Sequence, residues 1–200
     1  MAIVKSGTTS DLWTIDSSKA GRTAPYDSAA NSRGHKQTFA GSVFGVGVPG
    51  GVPAFYIAGV ANKLVVFQRL RITGPAATGV FGPSPSLTKY RTAFSGGTLT
   101  YLTTAPFDSQ AGLQPLATPA TYTAAPTLGV VSGPIGAATV IAQSSAASAG
   151  AGLATIEWDF RAIAEGGGIY LRGPNDGIAT TLNTGGNAIT AVVETQWTEI

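Results

Sequence analysis

Turn-forming residues interrupt this chain almost everywhere. Its 200 residues include 27 glycines and 12 prolines, spread along nearly the whole length. Helix interiors tolerate neither well. Between the breaks lie short runs rich in Val, Ile, Thr, Tyr, Phe and Trp, which pack well on a pleated, half-buried surface. Strands at roughly ten-residue spacing with turn signals between them predict an all-β sandwich or barrel. A chain of this length can bury a sizeable core as one such domain.

The strongest strand signal is Lys63 to Thr73, ended by Gly74-Pro75. Strict alternation there puts Phe67, Arg69 and Arg71 on one face and Leu70 and Ile72 on the other. Ser86 to Phe94 and Thr98 to Thr104 flank Ser95-Gly96-Gly97, which reads as a hairpin. Lys89 and Arg91 share one face of its first arm, with Leu87 beside them. Residues 105–150 are low in complexity and read as a long loop region with short edge strands, because Pro115, Pro119, Pro126 and Pro134 forbid a long central one. Near the end, Ala154, Ile156, Trp158 and Phe160 alternate with Thr155, Glu157, Asp159 and Arg161, as a half-buried strand should. In the final strand Ile189, Ala191, Val193 and Trp197 face one way.

The stretch Gly41 to Asn62 is uncharged and about long enough to span a bilayer. Pro49-Gly50-Gly51 in its middle would break a helix, so it reads as two strands and a turn. The opening MAIVKSGTTSDLW lacks an apolar core of the signal-peptide kind, and no such peptide is expected.

Residues 1–38 differ from the remainder. They are polar and hold Lys5, Lys19, Arg22, Arg33 and Lys36, with too few large apolar residues for a core of their own. The segment reads as an extended N-terminal arm that orders against a partner, with Trp13 as the buried anchor and those five cations as charge partners. Residues 39–200 form the sandwich domain.

Chemistry-bearing residues are scarce. There is no Cys, a single His (His35), and 11% charged residues in total. Zero Cys removes disulfides, thiolate chemistry and Cys-based zinc sites. A Ser/His/Asp triad would need His35, which lies in the polar arm, and no G-x-S-x-G elbow occurs. Glu157 and Asp159 share one strand face about 7 Å apart, a spacing compatible with glycosidase acid/base work. Both alternate with Trp158 and Phe160, so they read as solvent-face or subunit-contact residues. Pro174-Asn175-Asp176-Gly177 supplies one carboxylate, too few for calcium. Gly45-Val46-Gly47-Val48-Pro49-Gly50 matches G-x-G-x-x-G by glycine content alone, since strand rather than helix follows. No catalytic residue and no cofactor are expected.

Charge is uneven. Between Lys63 and Arg91 stand five basic residues and no acid, and after residue 156 come six acids and two basics. Such blocks attract each other within a subunit, between subunits or across to a partner. Arg69, Arg71, Lys89, Arg91, Glu157 and Asp159 are the candidate subunit contacts. The low charge density suggests an exterior covered by copies of itself or by another protein. The net charge of +2 implies no nucleic-acid partner, and no membrane partner is expected.

Several short segments resemble the small structural proteins of tailed-bacteriophage virions. They are Ser6-Gly7-Thr8-Thr9-Ser10-Asp11-Leu12 with Ile15-Asp16 and Ser18-Lys19-Ala20, and then Leu70-Arg71-Ile72 and Phe94-Ser95-Gly96-Gly97-Thr98. Pro106-Phe107-Asp108-Ser109 and Tyr122-Thr123-Ala124-Ala125-Pro126-Thr127 follow. Glu157-Trp158-Asp159-Phe160, Leu171-Arg172-Gly173 and Gln196-Trp197-Thr198-Glu199 complete the set. The longer Gly/Pro-rich segment 41–62 departs from the pattern. The resemblance implies an antiparallel jelly-roll with no catalytic residues. It implies a virion component. Together with the low charge and the arm, it predicts a capsid decoration or cement protein on the capsid exterior that bridges major capsid protein subunits as a homotrimer. The alternative it leaves is a tail, baseplate or receptor-binding component that contacts host glycan.

Overall fold

The structure is a computed structural model. It describes residues 3–5, 12–14, 37–74, 80–81, 84–107, 114–137, 142–143, 154–162, 167–183 and 189–200. In chain order its strands are β1 (Ile3–Lys5), β2 (Leu12–Thr14), β3 (Gln37–Val48), β4 (Pro53–Ala58), β5 (Leu64–Gly74), β6 (Val80–Phe81), β7 (Ser84–Tyr90) and β8 (Thr98–Tyr101). There follow β9 (Thr103–Pro106), β10 (Ala120–Ala124), β11 (Val131–Ala137), β12 (Ala142–Gln143), β13 (Ala154–Asp159), β14 (Ile169–Arg172), β15 (Gly177–Asn183) and β16 (Ile189–Glu199). No helix occurs among the described residues.

The chain divides into Met1–His35 and Lys36–Ile200. In the first unit β1 and β2 pair antiparallel, with Val4 opposite Trp13 and Lys5 opposite Leu12. Within the expected arm 1–38, the described residues are this strand pair and, at Gln37 and Thr38, the start of β3.

The second unit is a sandwich of two antiparallel sheets. The first has the order β13-β5-β16-β3-β9, with β14 also on β5; the second has the order β11-β7-β15-β4-β10-β8. Leaving aside the additions, eight strands remain: β3, β4, β5, β7, β11, β13, β15 and β16. The first, eighth, third and sixth of these build one sheet, and the second, seventh, fourth and fifth build the other. That order is the double Greek key of a jelly roll. The insertion between β7 and β11 lengthens both sheets on one side. Its strands β8 and β9 form one run that crosses between sheets at Leu102, whose amide donates to Pro119 O at 3.0 Å.

The core lies between the sheets. Phe39 stacks on Trp197 with ring centroids 5.6 Å apart, and Phe55 meets Phe67 across the sandwich at 5.7 Å. Each such ring removed from water contributes roughly 1.5–3 kcal/mol. Ile156 and Trp158 of β13, and Ile189, Ala191, Val193 and Trp197 of β16, are all buried.

Three expectations are corrected. Phe67 does not share a face with Arg69 and Arg71. The register on β16 steps from Arg69 to Phe67 across adjacent residues, leaving Gln68 as a bulge. The extra residue reverses the alternation, so Phe67 enters the core with Leu70 and Ile72. Ser95-Gly96-Gly97 does not close a hairpin between its flanking strands. Gly96 and Gly97 do take positive φ (67° and 75°), but β7 pairs with β11 and β15, while β8 pairs with β10. Ser95 instead bridges to Thr127. Finally, β10 is an interior strand between β4 and β8, whereas β11, which contains Pro134, lies at an edge. Residues 41–62 form most of β3, a turn and β4, which sit in different sheets.

Candidate functional site: the charged face of the first sheet

The bulge at Gln68 decides which way the arginines of β5 point. With Phe67, Leu70 and Ile72 inward, Arg69 and Arg71 stand on the outer face of the first sheet. Alternation in β13 and β16 brings their partners to the same face. Two cross-strand rows result. One runs Thr103, Ser42, Glu194, Arg71, Glu157; the next runs Ala105, Ala40, Gln196, Arg69, Asp159.

Charges of opposite sign adjoin along these rows. Arg69 Nε donates to Glu157 Oε1 at 2.9 Å, and Arg71 Nη1 donates to Glu194 Oε2 at 3.3 Å. Arg161 follows β13 and folds back on it. Its backbone amide and Nε both donate to Asp159 Oδ1, at 3.0 and 2.9 Å, and its Nη2 contacts Asp159 Oδ2. Its Nη1 reaches Gln196 Oε1 at 3.4 Å. The side-chain and backbone hydrogen bonds from Arg161 hold the Asp159 carboxyl down at about 2. Of the three attractions that the sequence leaves open, the basic middle and acidic end thus meet within one chain. A shallow groove of about 440 Å³ opens between the rows, lined by Ser42, Arg69, Arg71, Thr103, Glu194 and Gln196 among others.

This arrangement can do some things and not others. A glycosidase needs one carboxyl with a raised pKa to protonate the leaving group. Asp159 is shifted the opposite way, and Glu157 is ion-paired to Arg69. The groove instead presents paired, partly exposed charges and polar side chains. The side chains of Arg69 and Glu157 are 28% and 40% exposed, and those of Arg71 and Glu194 41% and 46%. Exposed pairs of this kind contribute only about 0–1 kcal/mol each, so exchanging a partner within the chain for one outside it costs little.

No protein-family model, curated protein or solved structure matches this chain. Its function is therefore read from its own side chains. Of the residues singled out in the sequence, Arg69, Arg71, Glu157 and Asp159 come together on this face. Lys89 does not. It lies in the second sheet and is engaged within the chain, donating to Tyr170 O at 2.9 Å and pairing with Asp176 at 3.3 Å. Arg91 follows the end of β7 and is exposed. Lys5 and Trp13 lie in β1 and β2, while Lys19, Arg22, Arg33, Lys36 and His35 lie outside the described residues. Glu194, Gln196 and Arg161 complete the site without having been singled out. The signal was present for two of them: if Val193 and Trp197 face the core, Glu194 and Gln196 face away.

Proposed function

We propose that this chain is a structural protein of a tailed-phage virion that decorates the capsid, bridging major capsid protein subunits without catalysis. The observation that carries the reading is the alternating-sign face of the first sheet. A broad sheet face with balanced, exposed ion pairs suits docking against another folded protein, where charge order fixes register and rejects wrong partners. Beside it stands Phe44, 71% exposed, an apolar group of the kind that anchors such contacts. The jelly-roll body fits the same role, being an architecture shared by capsid and lectin domains. Copies set as trimers over junctions between capsid subunits gain avidity from each other.

The test is to mix the purified protein with capsids lacking it and count bound copies after sedimentation. Copies in proportion to capsid subunits are expected, with binding lost in the paired reversal Arg71→Glu with Glu194→Arg. A handful of copies per particle would place the protein in the tail instead, and no binding would overturn the reading.

A further inference from the structure

The outer face of the second sheet has the opposite character. Here β4 turns Tyr56 and Ala58 outward, β10 turns Ala120 and Tyr122, and β8 turns Leu99 and Tyr101. The register sets Ala120 opposite both Tyr56 and Tyr101, and Tyr122 opposite Leu99. Part of this face is covered from within the chain. Phe94 lies flat on Tyr56 with ring centroids 4.5 Å apart and meets the edge of Tyr90 at 4.6 Å. Tyr122 is packed at 6.0 Å from both Phe94 and Tyr56. Beyond Phe94, Leu99 is half-buried and Tyr101 is exposed. A cleft of about 180 Å³ lies there, lined by Tyr56, Tyr101, Leu99, Val60, Thr118 and Ala120. Tyr101 is 61% exposed, high for an aromatic side chain on a strand.

We propose that this cleft binds a neutral saccharide, with one sugar ring against Tyr101 and Tyr56.

The chemistry of the walls selects that occupant. Pyranose rings carry C–H groups on their faces and hydroxyls at their edges. Tyrosine rings offer apolar faces to the first, and phenol hydroxyls and the Thr118 hydroxyl exchange hydrogen bonds with the second. A few convergent polar groups on an otherwise apolar wall are what a small-ligand site requires. Among the described residues no acid or base lines the cleft, so a charged ligand would be desolvated without compensation. Its volume admits one ring, not a helix or a strand of another protein.

The site is also preorganised. The Phe94 backbone amide hydrogen-bonds the Tyr56 phenol, and the Phe94 ring fixes its plane, so little has to be ordered on binding. Burial pushes the Tyr122 phenol up, and the neighbouring phenols of Tyr56 and Tyr101 push it further. Of these phenols, those of Tyr56 and Tyr101 line the cleft, together with the Thr118 hydroxyl. Gly59 allows the floor to close, since a Cβ there would meet the carbonyl oxygen of Gly173 at 2.5 Å. Being the outer face of the other sheet, the cleft lies on the far side of the sandwich from Arg69 and Arg71. A copy docked through its charged face keeps it open. The inference does not rest on the capsid reading, because it concerns the isolated chain.

The full chain is titrated with glucose, galactose, mannose and N-acetylglucosamine and with their disaccharides, followed by saturation-transfer NMR and calorimetry. At least one sugar is expected to bind saturably, with affinity on the order of 1 mM for a single site. Tyr101→Ala, which removes an exposed ring and leaves the core intact, should weaken that binding about tenfold or more. Arg71→Ala should leave it unchanged. The inference fails if no sugar in the panel saturates, or if Tyr101→Ala binds as well as the parent. It also fails if a proline-rich peptide or a second copy of the chain, followed by sedimentation, occupies the cleft in place of sugar.

Discussion

Glu199 accepts a hydrogen bond from the indole Nε1 of Trp197, two residues earlier on the same strand, at 3.1 Å. Both side chains are buried. The same carboxylate accepts from the amides of Leu116 at 3.0 Å and Ala117 at 2.9 Å, tying the 114–119 segment to the last strand. Glu199→Ala leaves those donors without an acceptor, at about 1–3 kcal/mol for each that stays buried and unpaired. A fall in melting temperature of about 5–15 °C is expected. Glu199→Gln keeps one acceptor oxygen and should lose about half as much. Thermal melts followed by Trp fluorescence check both.

The arginines of the charged face behave differently. Arg71 and Glu194 are both exposed by about two fifths or more, so Arg71→Ala should change unfolding free energy by less than about 1 kcal/mol. The same substitution should weaken capsid binding. Chemical denaturation and co-sedimentation, run on one preparation, separate the two effects; equal loss in both would mean that the side chain serves the fold.

Asp159 provides a pH test. Its carboxyl is held at about 2 in the folded chain, below the ordinary carboxylate value. A lowered pKa adds stability above the unfolded value that fades as pH falls through the folded one, here between about pH 4 and pH 2. Carbon-13 NMR should place the Asp159 midpoint near 2 in the parent. In Arg161→Ala it should climb back toward the ordinary value. An unmoved midpoint would assign the shift to the backbone amide of residue 161, which the substitution keeps, and to Arg69.

The boundary of the body is testable by deletion. Thr38 belongs to β3: its Oγ1 is 2.9 Å from Thr198 Oγ1, and its carbonyl accepts from the Phe107 amide at 2.9 Å. Removing residues 1–35 should leave the melting transition of the body unchanged. Removing 1–38 takes away Gln37 and Thr38 as well and should destabilise it by about 1–3 kcal/mol. Differential scanning calorimetry of the two truncations decides between the boundaries.

Periodicity carried the fold where strands are regular. Ile156 and Trp158, or Val193 and Trp197, announce their buried face through spacing alone, and Glu157 and Asp159 follow as the outward set. Gln68 was illegible because a bulge adds one residue without changing composition, yet it inverts everything before it. Gly96 and Gly97 show that the chain turns but not toward what. Phe94, drawn onto Tyr56 and Tyr90, sends Ser95 to Thr127 rather than back to its own strand. The pairing of Arg71 with Glu194 spans 123 positions, and that of Glu199 with Ala117 spans 82. Nothing in local spacing encodes partners so distant.

Strand β16, which follows both its neighbours in the chain, occupies the middle of the first sheet, with β3 on one side and β5 on the other. A chain still growing on the ribosome therefore holds two strands whose backbone groups await a common neighbour, together with the apolar surface between them. Such half-built sheets are open templates for the wrong chain. Until β16 is in place the first sheet stays divided, so its closure is a non-local step that cannot precede the pairing of strands far apart in the chain.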